Sequence, residues 1–157
     1  MIRISKPVYK NYQNKRNVEL IKNNPFSIQY IQNPSIKLQL IAVLKNGYVI
    51  QHVENPSEEV QIEAVKNNPF SIQYIKNPSL QVQLAAVKKD PHSIKYIKNL
   101  TEQVQIQAIQ QTPYAIECIE DPSLQLIELA LSIEPRITPK IDHLPLDQQS
   151  YLKLKYQ

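Results

Sequence analysis

The sequence predicts an all-α fold, a right-handed α-solenoid of about six 22-residue two-helix repeats. Three observations lead there. The dipeptides Asn33-Pro34, Asn55-Pro56, Asn77-Pro78, Asn99-Leu100 and Asp121-Pro122 recur every 22 residues. A second series runs out of phase at the same 22-residue spacing: Asn24-Pro25, Asn46-Gly47, Asn68-Pro69, Asp90-Pro91, Thr112-Pro113 and Glu134-Pro135. Between the two, the apolar residues do not alternate, which disfavours strands.

Residues 11–142 hold six units of 22, residues 1–10 an N-terminal capping segment and residues 143–157 a C-terminal capping tail. The unit reads roughly N-P-S-x-x-V-Q-L-x-A-V-K-x-N-P-F-S-I-x-Y-I-x. Residues 11–32 and 121–142 fit it least well, as terminal units do. Each Asn-Pro pair predicts a helix start, because the Asn side chain accepts from an orphan backbone N–H and proline at the first helical position has no N–H to lose. Helix A of the third unit is expected at about Pro56–Asn67 and helix B at about Pro69–Lys76. The prolines forbid a helix running through them.

At about 100° per residue, Val60, Ala64, Val65 and Ile62 share an apolar arc of helix A, with Glu59, Glu63, Lys66 and Asn67 opposite. In helix B the same projection groups Phe70, Ile72, Tyr74 and Ile75, leaving Gln73 and Lys76 outside. The alanine column Ala42, Ala64, Ala86, Ala108 and Ala130 marks the closest helix approach. Gln39, Gln61, Gln83 and Gln105 fall in the middle of the apolar arc, and a buried amide must be satisfied. A glutamine ladder bonding the Asn-Pro turns is the expectation, ending at Ile127.

Composition excludes several functions. The 157 residues carry 18 Lys+Arg against 14 Asp+Glu, a formal +4, and are 42% hydrophobic, which suits a globular chain rather than a disordered polyelectrolyte. A single glycine, Gly47, rules out a Walker A loop and a dinucleotide fingerprint. A single cysteine, Cys118, rules out an intramolecular disulfide. No His-pair or CxxC motif supports a metal site, and no cofactor is expected. His52 and His92 replace ring residues of helix B and read as packing variants, while Cys118 reads as a small buried thiol in the same column as His52. No catalytic constellation emerges, so the chain is expected not to be an enzyme. No membrane span or leader-like run is present, and a cytoplasmic monomer is the expectation.

The run VQLAAVKKDPHSI at residues 82–94 resembles the short helical repeats of an uncharacterised bacterial and phage repeat domain, whose units read like NPSxxVQLxAVKxNPxxIxxI. More distantly it is similar to leucine-rich repeat variant and HEAT-like solenoids. The resemblance spans about 130 residues. It implies a scaffold with an exchangeable surface and no catalytic residues to carry over. Its phage association implies, as a sharper expectation, an inhibitor of a host defence complex.

Function in such a scaffold sits on exposed columns. Helix B presents Gln29 and Gln32, then Gln51 and Glu54, Gln73 and Lys76, Lys95 and Lys98, and Glu117 and Glu120. This stripe, passing from neutral to mixed to basic to acidic, is the expected site for a protein or ribonucleoprotein partner. Lys76, Lys88, Lys89, Lys95 and Lys98 form the alternative, an RNA- or DNA-binding surface over residues 66–98, interrupted by acidic belts at both ends. The Tyr30, Tyr74 and Tyr96 column and the Phe26, Tyr48, Phe70 and Tyr114 column are expected to pack inward. Two units carry apolar residues at polar positions, Ile41 with Leu44 and Leu129 with Ile133. Ile2, Ile4, Val8 and Tyr9 are expected to cover the first pair. Leu144, Leu146, Leu152 and Leu154 are expected to cover the second, the last two from a helix of about Gln148–Tyr156 capped by Asp147.

Overall fold

Why a 22-residue unit folds as it does is visible in a computed structural model that describes the backbone of residues 6–156 and the side chains of residues 13–156. The described residues form seven α-helices and no strand: α1 (Lys6–Asn23), α2 (Ile36–Lys45), α3 (Glu58–Asn67), α4 (Leu80–Lys89), α5 (Glu102–Gln111), α6 (Leu124–Ile133) and α7 (Leu146–Tyr156). Helices α1 to α5 are each followed by a six-residue 3₁₀ segment: Pro25–Tyr30, Gly47–His52, Pro69–Tyr74, Pro91–Tyr96 and Pro113–Cys118. The fold is thus an all-α repeat array. The chain divides into two units, Met1–Lys76 and Asn77–Gln157. In the first, α2 packs against α1 and α3, and the Gly47–His52 segment lies between its neighbours Pro25–Tyr30 and Pro69–Tyr74. In the second, α5 packs against α4 and α6, and α7 against α6.

The alanine column does what its size allows. Ala42, Ala64, Ala86, Ala108 and Ala130 are fully buried. The isoleucines Ile28, Ile50, Ile72, Ile94 and Ile116 are buried beneath the 3₁₀ segments, each supplying about 1.5–3 kcal/mol of apolar burial.

The helix starts differ from the Asn-Pro expectation. The caps of α2, α3, α4 and α6 are Ser35, Ser57, Ser79 and Ser123, whose hydroxyls accept from the N–H three residues on at 3.4 Å. Thr101 heads α5 without a side-chain cap bond. Asn33, Asn55 and Asn77 instead take left-handed φ values of 50°, 48° and 49°, a region asparagine tolerates well. They turn the chain so that proline and serine can follow as a lead-in. In the second series the expected caps hold: Asn24, Asn46, Asn68 and Asp90 side chains accept from the N–H two residues on, while Thr112 does not.

Helix B is a 3₁₀ segment rather than an α-helix. Six residues between a capping residue and an extended isoleucine leave little room for an i→i+4 ladder, and i→i+3 bonds such as Ser71 N to Asn68 O and Ile75 N to Ile72 O, both 3.0 Å, form instead. Three residues per turn re-sort the faces. Pro69, Ile72 and Ile75 are buried, Phe70 is half-buried, and Gln73, Tyr74 and Lys76 face solvent. Ser71 and Ser93 are buried in one column with Val49 and Ala115. The sixth unit keeps α6, but its second half holds only a turn at Pro135 and Arg136. Pro139 falls where the 3₁₀ segment would continue and restricts the residue before it.

The glutamine ladder is present. Gln39 Nε2 donates to the Pro34 carbonyl at 2.9 Å, Gln61 to Pro56 at 2.8 Å and Gln83 to Pro78 at 3.0 Å. Gln83 also reaches Asn99 O of the next repeat at 3.3 Å. Gln105 makes no such bond among the described residues, and its turn has Leu100 in place of proline. In the last unit, where Ile127 occupies the glutamine position, His143 takes over: its Nε2 donates to the Pro122 carbonyl at 2.7 Å. A second inter-repeat bond answers the single glycine. Gly47 has the N–H that proline lacks, and Asn67 Oδ1 accepts it at 2.7 Å while Asn67 Nδ2 donates to Leu44 O at 2.8 Å.

At the C-terminal end, Leu144 and Leu152 are buried as expected, but Leu146 and Leu154 are exposed and leave Ile133 exposed. One face of a helix can meet α6, and that face carries Leu152. Asp147 lies inside the first turn of α7 rather than before it. Glu128 on α6 accepts from Lys155 Nζ and from the Tyr151 hydroxyl, both at 2.8 Å, which ties α7 down. These bonds hold the Glu128 carboxyl below its ordinary range and push Lys155 above its own. At the other end, Ile41 packs on the core cluster of Ile21, Ile28, Leu38, Ala42, Val49 and Val53, whereas Leu44 stays exposed. The expected cover from the side chains of Ile2, Ile4, Val8 and Tyr9 lies outside the described side chains, residues 13–156.

Candidate binding surface

The 3₁₀ geometry brings the sequence-predicted columns into a different relation from the one a helical projection gives. Tyr30 is 83% exposed, and Tyr74 and Tyr96 are each 42% exposed. The column expected to pack inward therefore stands on the surface. The column before it is its support within the first unit: Phe26 meets the edge of His52 at 5.8 Å between ring centroids, and Tyr48 meets Tyr74 at 6.0 Å. Such T-shaped pairs are worth about 0.5–1.5 kcal/mol beyond burial. They connect one repeat to the next and hold the outer ring in place.

Between these rings and the Asn-Pro turns lie two grooves of homologous construction in the first unit. One, about 700 Å³, is lined by Tyr30, Gln32, Asn33, His52, Glu54 and Asn55, with Gln39 among the residues beneath. The other, about 510 Å³, repeats it 22 positions on, with Glu54, Asn55, Gln61, Tyr74 and Lys76. Of the eight partner-binding candidates Gln51, Glu54, Gln73, Lys76, Lys88, Lys89, Lys95 and Lys98, the first two and Lys76 share this second groove. Gln73 is exposed beside it, its amide folded onto Phe70 O at 2.9 Å, as Gln51 folds onto Tyr48 O at 3.1 Å. Both amides are thereby oriented by their own turn.

The remaining four lie in the second unit. Lys88 and Lys89 end α4, favourably placed at its negative C-terminus, while Lys95 and Lys98 belong to the 3₁₀ side. All four are exposed, and none of the six charged candidates forms an ion pair among the described residues. The sequence missed Tyr30, Asn33 and Asn55 as surface groups. The signal was present in the spacing, since a three-residue period over Pro69, Ile72 and Ile75 leaves the tyrosine outside.

His92 is not a packing ring. It is exposed, and its Nδ1 lies 3.2 Å from Asp90 Oδ1. Cys118 is half-buried, and burial pushes its thiol above the ordinary range, against a weaker opposing pull from Lys95. Burial thus favours the neutral thiol over the nucleophilic thiolate. Among the described residues, no three His, Cys, Asp or Glu side chains gather to hold a metal ion, and no helix is long and apolar enough to cross a membrane. Comparison with protein-family models, with curated proteins and with solved structures finds no match to this chain.

Proposed function

We propose that the chain is a non-enzymatic binding scaffold that engages a protein or ribonucleoprotein partner through its 3₁₀ segments, with Gln51, Glu54, Gln73 and Lys76 as contacts in the first unit and Lys95 and Lys98 as contacts in the second. One observation carries this reading: the same groove, with a ring, a left-handed asparagine and a glutamine-bonded turn, occurs twice at repeat spacing. Pockets recurring at repeat spacing suit an extended partner, whose successive side chains can each fill one. The family resemblance adds the form of an inhibitor of a host defence complex, in which charge reversal at Lys95 and Lys98 abolishes inhibition. A second reading, a single-stranded nucleic acid on the lysine-rich 66–98 surface, draws on the exposed rings of Tyr74 and Tyr96, which suit base stacking. Glu54 beside Tyr74 opposes a continuous phosphate track there.

Affinity capture from lysate, with and without nuclease, separates the two. A protein retained after nuclease by the wild type, and lost from the doubly reversed Glu54→Lys, Lys76→Glu chain, supports the scaffold reading. Recovery that vanishes with nuclease moves nucleic-acid binding to first place.

A further inference from the structure

The first groove has a chemical character of its own. No lysine or arginine lines it, although the chain as a whole is basic. Its one carboxylate, Glu54, is exposed and has no ion-pair partner among the described residues. Tyr30 is the most exposed ring of its column. Around them stand the carboxamides of Gln32, Asn33 and Asn55, with His52 across. Beneath lies Gln39, only 9% exposed, whose Nε2 is committed to Pro34 while its Oε1 is buried with no donor among the described residues. The groove therefore offers one negative charge, neutral amides whose oxygens can accept, and one open aromatic face.

We propose that this groove binds the guanidinium of an arginine carried by an extended peptide segment of the partner. The proposal rests on the scaffold reading and names what its first groove selects. Guanidinium is planar and carries five N–H donors and a fixed charge, so it matches a carboxylate bidentately and stacks on a tyrosine face. An ammonium offers fewer donors and no flat face to the ring. An anionic ligand, a phosphate chain included, meets Glu54 and no cation. One repeat further on, Lys76 joins Glu54 in the second groove, which makes that groove less favourable to a second arginine. The selected feature is thus one basic position in a segment that continues as neutral or acidic.

The test uses the full-length, isotope-labelled chain and four acetylated nonapeptides of identical Gly-Ser background. The central residue is arginine, lysine, citrulline or glutamate. Citrulline keeps the shape and removes the charge. The expected result is that the arginine peptide moves the amide resonances of Tyr30, Asn33, His52 and Asn55 and the side-chain amide of Gln39. An exposed charge pair contributes about 0.2–1 kcal/mol and an exposed cation–π contact about 0.5–1 kcal/mol, so Glu54→Gln weakens the arginine peptide about 1.4-fold to fivefold and Tyr30→Ala about twofold to fivefold. Both substitutions are at exposed positions, and an unchanged melting temperature verifies the fold. Equal binding of citrulline and arginine, or no response at these resonances, overturns the proposal. A glutamate peptide that moves only Lys95 and Lys98 also overturns it, yet leaves the scaffold reading standing. Protection by a captured partner confined to the outer positions of the α-helices, such as Glu58, Glu59 and Lys66, would instead count against the scaffold reading itself.

Discussion

Replacing His143 by alanine isolates the last rung of the ladder. The imidazole donates to Pro122 O at 2.7 Å; Pro122 is buried but the ring itself is exposed, so its removal opens the carbonyl to water. The loss is then that of an ordinary hydrogen bond, about 0.5–1.5 kcal/mol. For a chain of this size each kcal/mol moves Tm by about 2–4 °C, giving an expected fall of about 1–6 °C. The decisive measurement is a double-mutant cycle with Ile127→Gln, read by urea or thermal unfolding. In three other repeats a glutamine five residues after the proline bonds its carbonyl. Alone, Ile127→Gln buries an amide whose acceptor His143 already uses, and it destabilises. On the His143→Ala background the new amide finds Pro122 O unclaimed, so its cost falls by about 1–2 kcal/mol, within the usual range for coupled neighbours. Strict additivity of the two substitutions, or an unchanged Tm for His143→Ala, would refute the reasoning.

Three further outcomes follow from local geometry. Gly47→Ala drives a Cβ into the backbone carbonyl of Ala64, which cannot swing aside, so chemical denaturation should show a loss of about 1–3 kcal/mol. Ser71→Ala and Ser93→Ala remove buried hydroxyls that have no partner among the described residues, at a repeat position where Ala115 already sits; each is expected to be neutral or to stabilise by up to about 1 kcal/mol in the same assay. Because bonds to Lys155 and Tyr151 depress the Glu128 pKa, its contribution is present above the unfolded carboxylate pKa and is lost as pH falls through the lower folded value. Hydrogen-exchange protection factors in α7 should therefore drop modestly on acidification, since the group is largely solvated, and Glu128→Gln should remove that dependence.

What was legible in the sequence is what repetition enforces through contact. The alanine column had to be buried, since nothing larger fits where helices meet, and the glutamines had to find backbone acceptors because their helix face is covered. The first holds at all five alanines, the second at Gln39, Gln61 and Gln83 but not at Gln105, whose turn lacks the proline. The helix starts were misread because Asn-Pro-Ser offers two capping residues. Choosing between Asn55 and Ser57 depends on which backbone enters the left-handed region, a matter settled by the turn as a whole. The second element was misread because a six-residue apolar segment fits an α-helical and a 3₁₀ projection equally well. That one difference in pitch turned Tyr30, Tyr74 and Tyr96 outward and hid the grooves. The role of His143 lay 21 residues from its partner and outside the repeat pattern.

The central claim, that the 3₁₀ face is the binding face, is tested most directly by hydrogen-exchange footprinting of the full chain alone and with a captured partner. The account predicts added protection over residues 29–34, 51–56 and 73–76. Protection confined to the outer positions of the α-helices, such as Glu58, Glu59, Lys66 and Lys88, with the grooves unchanged, would contradict it.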